Sequence, residues 1–283
     1  MTNETETTAA LGRVRRIIVH GGLAHTDDIM ACALAYAFGV SHDVPIERRN
    51  PKPDELDDLA TLVLDVGGRH DPAHLDFDHH QRTRDDAPKC AYRLFAEWLG
   101  VDDEMRLLHP WYDAWNLMDV CGPYQTAQRL GAPPTALAGF IDNPLSDWVI
   151  RRFADDPELR RKLAVTFAKE ILLSRTCWAD MQTKITRRDV EGFFVADLTQ
   201  CLTEEISRCS EAWVRQNHPD CLLMRDGRGT GLTLLRCEDN PRLDFARCRG
   251  KPYTLFAHAG GFILKTTSRD VDLATILTDA RVA

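Results

Sequence analysis

The sequence lacks the features that mark several large classes of protein. Its 283 residues include nine cysteines but no CxxC pair, so buried reduced thiols are favoured over a zinc ribbon or a disulfide framework. No apolar run is long enough to span a bilayer, and no signal-peptide pattern is present. These absences predict a cytoplasmic protein with no membrane partner.

The chain also has fewer basic than acidic residues. The chain has 35 Lys and Arg against 43 Asp and Glu, which gives a net charge of −8. This balance argues against a broad basic face that wraps duplex nucleic acid, although a bound cation could supply positive charge locally. Hydrophobic residues make up 44% of the chain, enough for one large folded domain or two ordinary ones.

Histidines, in contrast, are concentrated at one end. Seven of the 10 lie within the first 80 residues. The segment Asp78-His79-His80 places one carboxylate and two imidazoles in succession, and His25 and Asp27 closely follow His20. Imidazole and carboxylate are both good ligands for divalent cations, so the pattern predicts a metal site. Any one of these residues alone could instead be a helix cap or a hydrogen-bonded histidine.

Hydrophobic patterning places these residues in the fold. Apolar runs at 17–19, 44–48 and 61–66 predict strands, and segments 29–38 and 53–59 predict helices between them. This alternation predicts an α/β fold, in which a parallel sheet has helices on both faces. The carboxyl ends of parallel strands share one edge, so His20 and Asp65 are expected to converge there.

Further helices are expected at 91–99, 109–118, 133–140, 145–153 and 157–188. From residue 192 onward the hydrophobic pattern consists of shorter, strand-like runs, which indicates a second, smaller α/β domain. The predicted organisation is a metal-binding domain at 11–150, a connecting helix at 151–190 and a C-terminal substrate-binding domain at 191–283. Trp111, Tyr112 and Trp115 could stack on a base, but core packing is the default.

The order of the motifs resembles the DHH phosphoesterase superfamily and, within it, the melanocyte proliferating gene family. The similarity rests on four segments, which are His20 to Asp28, Asp65-Val66-Gly67-Gly68, Asp78-His79-His80-Gln81-Arg82 and Phe256 to Thr266. The resemblance implies a DHH-like first domain and two divalent metal ions bridged by Asp65. Manganese is the usual metal, and Mg²⁺, Co²⁺ or Zn²⁺ are possible.

The resemblance also implies roles for individual residues. One ion would be bound by His20, His25 and Asp65. The other would be bound by Asp27, Asp65, His79 and a fourth-motif Asp, best matched by Asp119 with Asp113 as its competitor. Three residues would assist catalysis: Asp78 by orienting a histidine, His80 and Arg82 by facing the substrate phosphate. Substrate would also contact His258, Gly260, Gly261 and Lys265, although Gly260-Gly261 could equally be a plain hairpin turn.

Together these features predict a metal-dependent phosphodiester hydrolase. The resemblance further implies 3′–5′ exonuclease action on RNA or short oligonucleotides, with a metal-activated water as nucleophile. A pyrophosphatase or polyphosphatase could use the same ligands. A metal-binding regulatory protein that has lost catalysis is a third possibility, and assembly as a homo-oligomer is possible.

Overall fold

A computed structural model of the protein describes residues 4–81, 89–133, 135, 137 and 144–282. The chain divides into two compact units, Met1–Leu173 and Ser174–Ala283. The helices of the first unit are α1 (Glu4–Leu11), α2 (Thr26–Phe38), α3 (Ala91–Leu99), α4 (Asp102–Leu108), α5 (Tyr112–Leu130) and α6 (Pro144–Asp155), and α7 (Pro157–Lys184) continues into the second unit. Its strands are β1 (Arg16–Val19), β2 (Ile46–Arg48), β3 (Thr61–Leu64), β4 (His70–Asp71) and β5 (Asp76–Phe77).

The first unit is built on a mainly parallel sheet. Its strand order is β2-β1-β3-β5-β4, and every neighbouring pair is parallel except β4 with β5. The predicted α/β fold is therefore confirmed. The prediction of a strand ending at His20 and another ending near Asp65 agrees with β1 and β3.

The two faces of this sheet are covered differently. Ile17, Val19 and Phe77 point into a large apolar cluster that also contains buried residues of α2, α3 and α7. Ile18 and Val63 belong to a small separate cluster on the other face, where Leu56 packs against them. Tyr112 is fully buried in the large cluster, in line with the default reading of that aromatic group.

The helix expected at 53–59 is wrong, because this segment consists of turns and bends. Acidic side chains there bind nearby backbone amides instead of leaving them to a helix. Glu55 accepts a hydrogen bond from the amide of Lys52, and Asp58 accepts one from the amide of Ala60. Such local side-chain bonds favour turns over helices.

The helices expected at 145–153 and 157–188 correspond to α6 and α7, although the second helix ends earlier than expected. The chain breaks between α6 and α7, where Asp156 caps the new helix by accepting from the amides of Glu158 and Leu159. Pro157 at the first helical position suits a helix start. Helix α7 ends at Lys184, and the residues that follow form a strand.

The second unit contains a mixed sheet of order β10-β11-β9-β8-β7-β6, in which only β7 and β8 are parallel. Its elements are β6 (Thr186–Val190), β7 (Phe193–Asp197), α8 (Thr203–Asn217), β8 (Cys221–Arg225), β9 (Leu232–Arg236), β10 (Thr254–Ala257), β11 (Ile263–Thr266) and α9 (Leu273–Ala280). A buried cluster around Phe193, Leu234 and Phe245 forms its core. Among the described helices of the whole chain, none is long and apolar enough to cross a membrane.

Candidate metal centre

Three neighbouring parallel strands deliver polar side chains to the same edge of the first sheet. His20 directly follows β1, Asp65 directly follows β3, and Asp78-His79 directly follow β5. Because β3 lies between β1 and β5, Asp65 occupies the middle position. Asp65 has a left-handed φ of 58°, a conformation that Asp and Asn adopt more readily than most residues.

A first group of possible metal ligands consists of His20, His25 and Asp65, whose ligand atoms lie within 4.8 Å of one another. His20 Nε2 lies 3.5 Å from Asp65 Oδ2. His20 Nδ1 lies 2.6 Å from the carbonyl oxygen of Gly21, which fits a protonated Nδ1 and leaves Nε2 free to bind a cation. These are the residues expected for the first ion.

A second group consists of Asp27, His79 and Asp119, again with ligand atoms within 4.8 Å. His79 Nε2 lies 3.2 Å from Asp119 Oδ2 and 4.0 Å from Asp27 Oδ2. The same nitrogen lies 3.0 Å from Asp65 Oδ1, which joins the two groups. A third, overlapping group contains Asp65, His79 and His80.

The structure brings Asp119, and not its competitor Asp113, into these groups. Asp119 lies in α5 ahead of a kink at Gly122, and its Oδ1 is 3.8 Å from His25 Nδ1. Asp113 instead pairs with Arg93, with its Oδ1 at 3.2 Å from the guanidinium. The six expected ligands therefore meet at one place, although their binding of metal remains a prediction.

The electrostatics of this place favour a bound cation. Burial, together with the charges of Asp65 and Asp119, raises the pKa of Asp27 well above its usual range. Burial alone would lower the pKa of His79, but hydrogen bonds to Asp119 and Asp65 outweigh it and raise that pKa to about 10. Crowded buried carboxylates with imidazole neighbours form a donor set that fits a divalent metal ion.

Asp78 fixes the neighbouring His80. Its Oδ2 accepts a hydrogen bond of 2.6 Å from the amide of Gly68, and its Oδ1 lies 3.0 Å from the amide and 2.7 Å from Nδ1 of His80. Although burial acts to raise the pKa of Asp78, these hydrogen bonds hold it below its usual value. Gly68 has a φ of +67°, so a side chain there would be strained. The resulting ionised carboxylate orients the His80 imidazole.

A cavity of about 560 Å³ opens onto the first ligand group. Its described lining residues are His20, Leu23, His25, Asp65, Val66, Gly67, Gly68, Asp78 and His80. Leu23, which is 83% exposed, and Val66 form an apolar wall of this cavity. Arg82, expected to face the substrate, lies outside the described residues.

The expected substrate residues of the C-terminal domain lie in the second unit, where each has local contacts. His258 Nδ1 accepts a hydrogen bond of 3.0 Å from the amide of Gly260, and Lys265 pairs with the buried Asp226 at 2.5 Å. A Cβ at Gly261, which has a φ of +69°, would overlap the carboxylate of Asp244. These contacts fit the alternative of a turn between β10 and β11, and a role in binding substrate stays a prediction.

Sequence reasoning missed two residues of the first unit. Leu23 gave no signal because an isolated leucine in a glycine-rich loop follows no periodic pattern. Asp28 gave no separate signal because acids are common in the first turn of a helix. In the structure it is fully buried beside His20, and burial, the largest influence on it, raises its pKa to about 7.

The fold and this site define an α/β protein with a candidate dinuclear metal centre at the carboxyl edge of a parallel sheet. Residues 16–95 match the profile of the MYG1 exonuclease family, described as uncharacterised protein family UPF0160. The expected resemblance is thereby confirmed over this segment, which contains β1 to β5 and all but one of the six expected ligands.

Individual relatives agree with this match. The human MYG1 exonuclease is 40% identical over 119 residues, which are 35% of this chain and 31% of the human protein. The MYG1 protein of Chlamydia trachomatis is 39% identical over 67 residues, 24% of this chain and 22% of that protein. The chain thus spans less than a third of these relatives. Among solved structures, a pGpG-specific phosphodiesterase from Vibrio cholerae matches over 89% of this chain and 92% of its own, with a TM-score of 0.29 and 14% identity.

Proposed function

We propose that this protein is a divalent-metal-dependent phosphodiester hydrolase that removes nucleotides from the 3′ end of RNA or short oligonucleotides. The observation that carries the proposal is the pair of ligand groups, His20-His25-Asp65 and Asp27-His79-Asp119, joined where His79 approaches Asp65. Relatives of the matched segment are named exonucleases, which supports a nucleic acid as substrate.

The chain's own residues divide the work of such a site. The two ligand groups would bind two divalent ions, of which manganese fits the mixed imidazole and carboxylate donors. Such ions supply an activated water and neutralise charge on the phosphorus oxygens. His80 is not a metal ligand in this scheme. With Nδ1 donating to Asp78, its Nε2 can donate a proton or a hydrogen bond to the substrate phosphate when the imidazole is protonated on both nitrogens.

The cavity favours a nucleotide over pyrophosphate. Its volume of about 560 Å³ lies in the range of sites that enclose small organic ligands. Leu23 and Val66 give it apolar surface, and its described lining includes neither Lys nor Arg. Pyrophosphate is small and highly charged, so it would gain little from apolar surface and would need basic groups close by.

The compartment is part of the same proposal. All nine cysteines are free thiols in the structure, and only Cys121 among them is not buried. Free thiols are typical of reducing compartments, which supports a cytoplasmic location.

The decisive experiment compares substrates in the presence and absence of metal. The protein, freed of metal with a chelator, is incubated with or without Mn²⁺ and either a 5′-labelled oligoribonucleotide or pyrophosphate. We expect stepwise shortening of the oligonucleotide from its 3′ end, only with metal. Cleavage of pyrophosphate alone would favour the pyrophosphatase alternative. Tight Mn²⁺ binding without turnover of either substrate would favour a non-catalytic metal-binding protein.

A further inference from the structure

Asp28 occupies an unusual position beside the first ligand group. It is the third residue of α2 and is fully buried, yet it belongs to none of the three ligand groups. Its Oδ2 accepts a hydrogen bond of 2.9 Å from the amide of His25 and lies 3.4 Å from His20 Nε2. The same carboxylate therefore contacts both histidines of the group.

The neighbouring Asp27, one of the proposed ligands, has a hydrogen-bond donor for each of its carboxylate oxygens. Asp27 Oδ1 accepts from the amide of Tyr92 at 2.7 Å, and its Oδ2 accepts from the amide of Ala91 at 2.9 Å. Both oxygens thus anchor the start of α3. Asp28, in contrast, has a buried Oδ1 with no hydrogen-bond partner among the described residues. A buried ionised oxygen without a partner is costly unless a cation lies nearby.

The charge of Asp28 lies close to the atom of His20 that would bind a cation. His20 Nε2 lies between two buried carboxylates, at 3.4 Å from Asp28 and 3.5 Å from Asp65. A cation bound at Nε2 would therefore be close to the charge of Asp28. Arg48, whose guanidinium is bonded to the carbonyl of Gly22 at 3.1 Å, and Arg160 are nearby groups of opposite sign.

We propose that Asp28 is a positioning residue for metal binding, which fixes His25 and His20 and adds negative charge beside the ion that they bind. The inference rests on the proposed function, because it requires that the first ligand group binds a metal ion. Asp28 would not bind the metal itself but would act on metal binding through the two histidines. Replacing a residue that holds a metal ligand in place commonly lowers metal affinity by about 10- to 100-fold.

The test is a direct measurement of Mn²⁺ binding, by calorimetry and by the electron spin resonance of free Mn²⁺. Asp28→Asn keeps an acceptor for the His25 amide but removes the charge. We expect the affinity for one of the two Mn²⁺ ions to fall by about 10-fold or more, and the affinity for the other to stay nearly unchanged. Asp103→Asn, whose side chain is 99% exposed, is the matched control and should bind both ions normally.

The outcomes separate the inference from the function on which it rests. No Mn²⁺ bound to the native protein would overturn the proposed function. Two ions bound with native affinity by Asp28→Asn would overturn only the role of Asp28. If Asp28→Asn does not fold in chelator, Asp28→Glu decides, since it retains the charge: near-native Mn²⁺ affinity supports the inference, and loss of one ion overturns it.

Discussion

The imidazole Nε2 of His79 lies 3.0 Å from Asp65 Oδ1, and this contact joins the ends of two adjacent parallel strands. It also joins the two groups of possible ligands, because Asp65 belongs to one and His79 to the other. In the absence of metal the contact is an ion pair, which fits the raised pKa of His79. A cation that entered the site would have to replace the proton on this imidazole.

Asp65 is the residue on which the centre depends most. We expect Asp65→Asn to lower Mn²⁺ affinity and hydrolysis by more than about 100-fold, since it removes the shared charge and not a supporting contact. Asn is the suitable replacement because it tolerates the left-handed φ of 58°, whereas Ala would add strain. Native metal affinity in a folded Asp65→Asn protein, measured by calorimetry, would contradict the two-metal scheme.

Asp78 and His80 are expected to act as a pair. Asp78→Ala removes the acceptor at 2.7 Å from His80 Nδ1, so we expect kcat to fall by about 10- to 100-fold while Mn²⁺ affinity changes little. His80→Ala should lower kcat similarly, and the double variant should be no worse than either single variant, because the two act as a unit. Additive losses in this double-mutant cycle would show that Asp78 has a separate role.

Leu23 should influence the substrate and not the metal. Leu23→Ala removes apolar surface worth about 1 kcal/mol if a base packs there, which corresponds to a roughly fivefold increase in KM for oligonucleotides. Metal affinity should be unchanged. Leu59, which is 45% exposed and is not among the described lining residues, provides the control Leu59→Ala. Equal KM values for the native protein and Leu23→Ala would remove the apolar wall from the proposed site.

The sequence predicted the strands that contain a clear apolar run, and it missed a strand that has none. Strands β1 and β3 are uninterrupted apolar runs, so both they and the acidic or imidazole residue after each were recognisable. Strand β5 has only two residues, Asp76 and Phe77, and gains its structure by pairing with β3. Such pairing is non-local and leaves no pattern in a short segment.

The candidate site shows the same division. His20 and Asp65 could be located from strand ends, because those ends meet at one edge of a parallel sheet, whereas His79 is recognisable only from the run Asp78-His79-His80. Asp119 could be selected only by resemblance, since its approach to His79 depends on how α5 packs. Asp28 differs from an ordinary helix-start acid only in its burial, which the sequence does not display.

Arg160 is expected to stabilise the first unit without any part in catalysis. It is only 6% exposed, and its guanidinium donates to the carbonyls of Phe153, Ala154 and Ile46 at 2.6–3.0 Å. Arg160→Ala leaves three carbonyls unpaired, so we expect about 3 kcal/mol less free energy of unfolding in urea. Arg161→Ala, which removes a partly exposed contact with the His42 carbonyl, should cost less than about 1 kcal/mol.

His109 should make stability depend on pH independently of the metal centre. Burial lowers its pKa to about 4, and its Nε2 has no hydrogen-bond partner among the described residues. Because the unfolded chain takes up a proton near the ordinary pKa of 6.5, the folded state loses stability as pH falls from about 6.5 to 4. Above that window His109 is neutral in both states and contributes no pH dependence.

The measurement is urea unfolding of the native protein and of His109→Leu between pH 4 and 8, both in chelator. The native protein should lose on the order of 2 kcal/mol more than the variant across the window, since His109→Leu has no proton to gain. Both proteins share the other titrating histidines, so these cancel in the comparison. Parallel curves for the two proteins would mean that His109 is solvated in the folded state and titrates normally.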